Sequence, residues 1–76
     1  MTGMIAIGER IEAQRLARGM SRQQLADMLQ VKYETIRRWE HGGAMPRPNR
    51  FLALCEALAC DERYLVLGII DKKANG

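Results

Sequence analysis

The sequence predicts an all-α chain of five short helices, the second and third joined by a tight turn. Three observations carry this. Ala, Leu, Arg, Glu, Gln and Met abound while aromatic residues make up only 5% of the chain and β-branched ones are few, a balance that favours helices over sheets. Gly19, Gly42, Gly43, Pro46, Pro48 and Gly68 divide the chain into pieces of helix length. Within those pieces, apolar residues recur at spacings of three and four. Seventy-six residues, 47% apolar and 28% charged, suffice for one small domain with one core. Residues 1–70 are expected to form it, with 71–76 as a flexible tail.

The first helix is predicted from about Ile7 to Arg18, with Ile7 and Ile11 on one face, Gln14 and Arg15 continuing it, and Gly19 ready to take a left-handed C-cap. Ser21 begins the second, over 22–29: its hydroxyl is placed to accept from the Gln24 amide while Gln24 reaches back, a capping box. The third runs from Lys32 or Tyr33 to Glu40 and is closed by His41 and Gly42. Two prolines one residue apart make 42–48 a loop. A fourth helix, Asn49–Ala59, aligns Phe51, Leu54, Cys55 and Leu58. Asp61 caps a fifth over Glu62–Leu67. Met20, Met28 and Cys55 are expected to fill core.

The net charge of +3 is unevenly placed. Residues 10–50 carry nine Lys and Arg against four Asp and Glu, whereas 51–76 carry three against four. Such a basic segment is what a polyanion-binding face requires. Cys55 and Cys60 are too few for a disulfide framework, and His41 lies apart from them, so neither a metal site nor a cofactor is expected. No stretch reads as a signal peptide or a membrane span, which fits a reducing, cytoplasmic setting. Without a nucleophile and base, a carboxylate pair or a metal set, an enzyme is not expected. The length leaves no room for a separate sensing domain.

On a helical projection of the third helix, Tyr33, Arg37, Glu34 and Arg38 fall within about 140° of arc, and Thr35, Ile36 and Trp39 fall opposite. Two short helices with such a polar, long-limbed second face form the arrangement that lays one helix in a duplex major groove while the other braces it against the backbone. An arginine there can fork onto a guanine's two acceptors, and a glutamate, which only accepts, suits a cytosine amino group. Tyr33 can meet a thymine methyl or, through its hydroxyl, a phosphate. Glu34 also suits the positive end of the helix dipole with or without DNA.

The residues Ser21-Arg22-Gln23-Gln24-Leu25-Ala26, then Val31, Thr35-Ile36-Arg37-Arg38-Trp39-Glu40-His41-Gly42, Pro46-Arg47-Pro48 and Leu54-Cys55-Glu56-Ala57-Leu58 resemble the Cro/XRE family of helix-turn-helix regulators, the lambda-repressor-like domains. The resemblance spans about residues 7–68. It implies a five-helix bundle with a central helix-turn-helix that binds operator DNA as a dimer. It places base contacts at Lys32, Tyr33, Glu34 and Arg38, with Arg37 beside them. Phosphate contacts fall at the start of the second helix and in the loop after the third: Ser21, Arg22, Gln23, His41 and Arg47, with Arg50 flanking. Arg10 and Arg18 are expected to be solvated.

Where many members of that family have an ion pair linking the first helix to the end of the third, this chain has Arg15 and Glu40, and Trp39 stands at a core position. Three departures stand out. Arg22 replaces a glutamine that usually clamps a phosphate and braces the third helix, Lys32 replaces a small capping hydroxyl, and Gln30 replaces the turn glycine. Gln30 must therefore adopt a left-handed conformation or let the turn relax.

The expected function is a sequence-specific double-stranded-DNA-binding transcriptional regulator, a phage- or prophage-type repressor that reads a palindromic operator. The apolar run Tyr64–Ile70 exceeds what one helix face buries and is expected to pair two copies, unless Leu65 and Ile69 simply close the core. The alternative is an antitoxin that docks a toxin through the same residues and autoregulates through its helix-turn-helix.

Overall fold

Five helices follow one another in a computed structural model that describes residues 3–68: α1 (Met4–Ala17), α2 (Arg22–Leu29), α3 (Tyr33–Glu40), α4 (Pro48–Leu58) and α5 (Glu62–Leu67). Ile69 and Ile70, expected at a contact between copies or in the core, and the expected tail 71–76 lie outside the described residues. α1 begins a turn before the predicted Ile7, because nothing in Met4–Ala6 interrupts a helix even though Gly3 offers no side-chain cap. It ends as expected. Gly19 takes φ +69°, its amide bonds the Leu16 carbonyl and the Met20 amide bonds the Arg15 carbonyl, the paired bonds of a Schellman motif.

The capping box at α2 is present in both directions: Ser21 Oγ accepts from the Gln24 amide at 3.0 Å and Gln24 Oε1 from the Ser21 amide at 2.8 Å. α4 starts one residue earlier than predicted, at Pro48, where the first turn has no use for the missing N–H. At α5, Asp61 accepts from the Arg63 amide at 2.8 Å.

α2 and α4 both end on a left-handed residue that is not glycine. Gln30 has φ 58° and Ala59 has φ 51°, and in each case the next amide closes the Schellman bond, Val31 onto Ala26 and Cys60 onto Cys55. An L side chain in this region costs roughly 1–2 kcal/mol, so the turn between α2 and α3 keeps its geometry at the expense of strain. Gln30→Gly is expected to stabilise the fold by about 1 kcal/mol after the greater chain entropy of glycine is subtracted. The check is a thermal midpoint higher by about 4–8 °C.

Ile11, Leu25, Ile36, Leu54, Leu58 and Leu65 are fully buried, joined by Ile7, Ala26, Leu29, Trp39 and Cys55. Met20 and Phe51 pack partly buried against them. Met28 does not: it is 57% exposed, because Leu25 and Leu29 already define the inward face of an eight-residue helix and Met28 points away from it. α3 rests on α1 and α2, α4 on α2 and α5, and α5 on α1.

Two arginines expected to be solvated instead hold helix ends together. Arg10 Nη1 donates to the carbonyls of Leu65 and Val66 at 3.1 and 3.3 Å, in the last turn of α5. Arg18 donates through Nε to the Leu58 carbonyl and through Nη2 to that of Ala59 at 3.3 Å, at the end of α4. Carbonyls without intrahelical partners gather at a helix C-terminus, and a cation there meets the negative end of the dipole.

Both cysteines are free. Burial pushes the Cys55 thiol up to about 11 and raises that of Cys60. An unfolded thiol ionises near about 8.5, so the contribution of Cys55 to stability is complete below that value and is lost as pH rises toward 11. The unfolding midpoint should fall across this window, and Cys55→Ala should flatten the fall. An equal slope in the variant would refute the assignment.

Candidate nucleic-acid interface

The start of α3 is extended through Lys32, whose side chain makes no capping bond, so the first turn of the helix meets solvent with Glu34 at its positive end. Ile36, Trp39 and Glu40 are buried against the rest of the bundle, with Thr35 half-buried. Tyr33, Glu34, Arg37 and Arg38 are all exposed. The outward face read from the helical projection is thus the outward face of the folded chain.

What anchors α3 is a buried carboxylate. Glu40, 2% exposed, accepts from Arg15 Nε at 2.7 Å and Arg15 Nη2 at 3.2 Å, a two-pronged bond from a guanidinium that is itself 6% exposed. Arg15 Nη1 donates to the Met20 carbonyl at 2.8 Å. A second arginine, Arg22 from the first turn of α2, adds Nε to Glu40 Oε1 at 2.8 Å, and Glu12 of α1 lies within 3.8 Å of Arg15 and 3.7 Å of Arg22. The carboxylate of Glu40, and after it the Tyr33 hydroxyl, hold Arg22 charged well beyond the ordinary arginine range. The ion pair implied for Arg15 and Glu40 is therefore formed and enlarged, and Arg22 braces α3 in place of the family's usual glutamine.

Gly8 makes this approach possible. A methyl group built at Gly8 would collide with the Trp39 carbonyl oxygen and lie 2.5 Å from that of Glu40. The sequence does carry a signal: Gly8 falls beside Arg15, about 20° away on the helical projection and at the edge of the Ile7–Ile11 face, and a mid-helix glycine costs about 1 kcal/mol unless packing requires it. At the far end of α3, Gly42 at φ +81° closes the helix by bonding the Trp39 carbonyl, and a methyl group built there would lie 2.7 Å from Ile5 Cγ1 and 2.9 Å from its Cα.

The other predicted contact residues divide into two groups. Arg22 and Arg50 turn toward protein: Arg50 Nη1 donates to the Leu29 carbonyl at 3.0 Å and so caps α2. Gln23 donates to Asp27 at 2.9 Å on the same helix. Arg37 pairs with Glu34 at 3.0 Å across one turn of α3, both in solvent. Among the described residues, no protein hydrogen bond or ion pair engages the side chains of Lys32, Arg38, His41 or Arg47, and all four are exposed. Lys32 precedes α3, Arg38 lies in its last turn, and His41 and Arg47 bound the loop that follows. Helical period already sets Arg38 outward, but no signal in the sequence separates Lys32, His41 and Arg47 from the structural cations, because that separation depends on which carbonyls and carboxylates come near.

The described residues hold no group of three or more metal-ligating side chains, and no helix among them is long and apolar enough to cross a membrane. The chain matches the sequence profile described as helix-turn-helix over residues 11–65. An uncharacterised helix-turn-helix transcriptional regulator of Rickettsia prowazekii is 33% identical over 63 residues, covering 83% of this chain and 48% of its own; the chain spans about half the length of the curated relatives it matches. The P22 c2 repressor, solved with a synthetic operator, superposes with a TM-score of 0.80 at 35% identity, covering 83% of this chain and 96% of its own. The restriction-modification controller protein of Aeromonas hydrophila gives a TM-score of 0.76 at 26% identity, covering 82% and 94%. The family and fold are those of regulators that are not enzymes. A profile match across most of the chain, together with the α2–α3 geometry, makes this chain a member of the Cro/C1-type helix-turn-helix family of DNA-binding transcriptional regulators.

Proposed function

We propose that the chain is a cytoplasmic repressor of phage or prophage type, which occludes a promoter by occupying a palindromic operator as a dimer. The observation that carries this reading is the sorting of cations. Arginines spread over α1, α2 and α4 are bonded to protein groups, whereas Lys32, Arg38 and Arg47 stand in solvent around the exposed face of α3. A helix that enters a major groove needs its long donors uncommitted. Arg38 reads a guanine through its two acceptors. Glu34, accepting from Arg37, reads a cytosine amino group, and Tyr33 and Lys32 contact neighbouring bases.

Phosphates are held by the α2 N-terminus, where Ser21 and Gln23 lie beside the amides of the first turn, and by His41 and Arg47. The operator complex of the P22 c2 repressor supports the same use of this fold. A single domain covers little duplex, so two copies are needed to read two half-sites about one helical turn apart. Leu67, exposed at the end of α5, and the apolar groove of Met45, Pro46, Pro48, Phe51 and Val66 provide surface that a second copy covers.

Selection of bound duplexes from a random pool tests the reading: a palindrome is expected, and the absence of salt-dependent binding to any duplex would sink it. Arg38→Ala should lose about 1–3 kcal/mol at one base pair and relax the preference there, leaving the other positions intact.

A further inference from the structure

We propose that Cys55 and Cys60 form a two-sulfur site for a soft, thiophilic cation of low coordination number, Cu(I) or its redox-inert counterpart Ag(I). The inference stands apart from the DNA-binding reading and needs none of its residues. The two cysteines are five positions apart in sequence, yet the end of α4 brings them together. The Cys60 amide bonds the Cys55 carbonyl and the Ala59 amide that of Glu56, each at 3.1 Å, the paired bonds of a Schellman motif. Cys55 and Cys60 occupy the two positions of that motif whose side chains meet across the turn. The first bond also keeps their Cα atoms within about 7 Å, the limit for bringing two cysteine sulfurs together. Both thiols are free, and each perturbs the ionisation of the other.

The pair is reachable from outside. Cys55 and Cys60 line one surface cavity together with the acidic residues Glu56, Asp61 and Glu62. Asp61 is paired with Arg63 at 3.2 Å, and the balance around the opening stays negative, which draws in a cation. Arg18, which donates to the Leu58 and Ala59 carbonyls, favours the Cys60 thiolate. A monovalent ion between two thiolates leaves one negative charge, and the Arg18 guanidinium is the cation placed to offset it.

The donor set selects the ion. Zinc takes three or four protein ligands, and the described residues hold no group of three. Thiolates favour Cu(I), whose filled d shell accepts two sulfurs in line. An S–M–S bridge is longer than a direct S–S bond of about 2.05 Å, so it asks less movement of two unbonded neighbours than a disulfide would. One cation and two thiols give a bis-thiolate complex and two protons, with no electron transferred. Burial keeps both thiols protonated at neutral pH, so both protons must leave when the ion binds.

The test adds silver nitrate to the reduced chain in chloride-free buffer. Native mass spectrometry should find one Ag(I) per chain, a weakly buffered titration at neutral pH should record close to two protons released per ion, and both cysteines should be protected from iodoacetamide. With free ion at about a hundredfold excess over Kd, the thermal midpoint should rise by about 10 °C or more. In competition with a dithiol chelator, Cys60→Ser should bind more weakly by more than the roughly 100-fold that loss of even an outer-shell partner costs. The Cys55→Ser/Cys60→Ser variant should take up only what its methionines hold.

The proposal is overturned if Cys60→Ser competes as well as wild type, if only one proton leaves, or if one ion serves two chains, the mark of a bridge between copies. Equal affinity for Zn(II) would overturn it too, since carboxylates of the cavity would then be completing a tetrahedral site. Should Cys60→Ser fail to fold, the wild-type chain decides by its proton count and its alkylation pattern, and protection of one cysteine alone overturns the proposal.

Discussion

Glu40→Ala is expected to destabilise the domain by about 3–5 kcal/mol, because it leaves the guanidinium of Arg15 buried and without its counter-charge. Arg15 is 6% exposed and has Glu40 as its bidentate partner, with only the Met20 carbonyl and the more distant Glu12 besides among the described residues. A domain of this size has on the order of 5 kcal/mol to lose, so much of the variant should be unfolded at about 37 °C. Glu40→Gln should do nearly as much harm, since it keeps the volume and removes the charge. Replacing both partners with apolar residues, Arg15→Met with Glu40→Leu, should recover more than half of the loss, because the deeply buried guanidinium goes with its carboxylate and the Arg22 charge that is left is partly exposed and still within 3.7 Å of Glu12. Denaturant unfolding of wild type and the three variants measures all of this. A Glu40→Ala variant within about 1 kcal/mol of wild type would mean that the pair is solvated and worth what surface pairs are worth.

Residues whose role follows from helical period and capping chemistry are legible in the amino-acid sequence. Ser21 and Gln24 form their box, Gly19 its left-handed cap, and Tyr33, Glu34, Arg37 and Arg38 the outward face of α3. Each of these depends on neighbours within one or two turns. What stays hidden depends on residues far apart along the chain. Arg10, Arg18 and Arg50 cap helices at carbonyls 55, 40 and 21 residues away, and nothing in a local pattern distinguishes a capping arginine from a solvated one. Arg22 is legible in type but not in direction. At the N-terminus of α2 it has the charge a phosphate contact requires, yet the position of Glu40 decides where the guanidinium goes. Met28 escapes a sequence reading for a related reason: an apolar residue in an eight-residue helix is core only if the bundle reaches it, and Leu25 and Leu29 face the bundle instead.

Gly8→Ala should be nearly as damaging as the loss of Glu40, and for a reason that links stability to recognition. The added methyl would collide with the Trp39 carbonyl oxygen and sit 2.5 Å from the carbonyl oxygen and 2.7 Å from the carbonyl carbon of Glu40. Backbone cannot rotate aside as a side chain would, so α1 and α3 must separate by on the order of 1 Å to restore ordinary contact. That movement acts on the residue whose carboxylate bonds Arg15 and Arg22 at 2.7–3.2 Å, so steric and ionic losses arrive together. Against the roughly 1 kcal/mol that alanine gains as a helix former, overpacking of this kind removes about 1–3 kcal/mol or more. The ion-pair disturbance should bring the net loss to about 2–4 kcal/mol. Gly43→Ala is the control, since its methyl meets only the Arg38 carbonyl oxygen, at 3.7 Å. If α1 sets the seat of α3, the Gly8→Ala protein that remains folded should also bind the selected duplex more weakly than Gly43→Ala, because the base contacts proposed for α3 require the undisplaced helix. Wild-type stability in Gly8→Ala would show that the α1–α3 contact yields freely and that the glycine is dispensable.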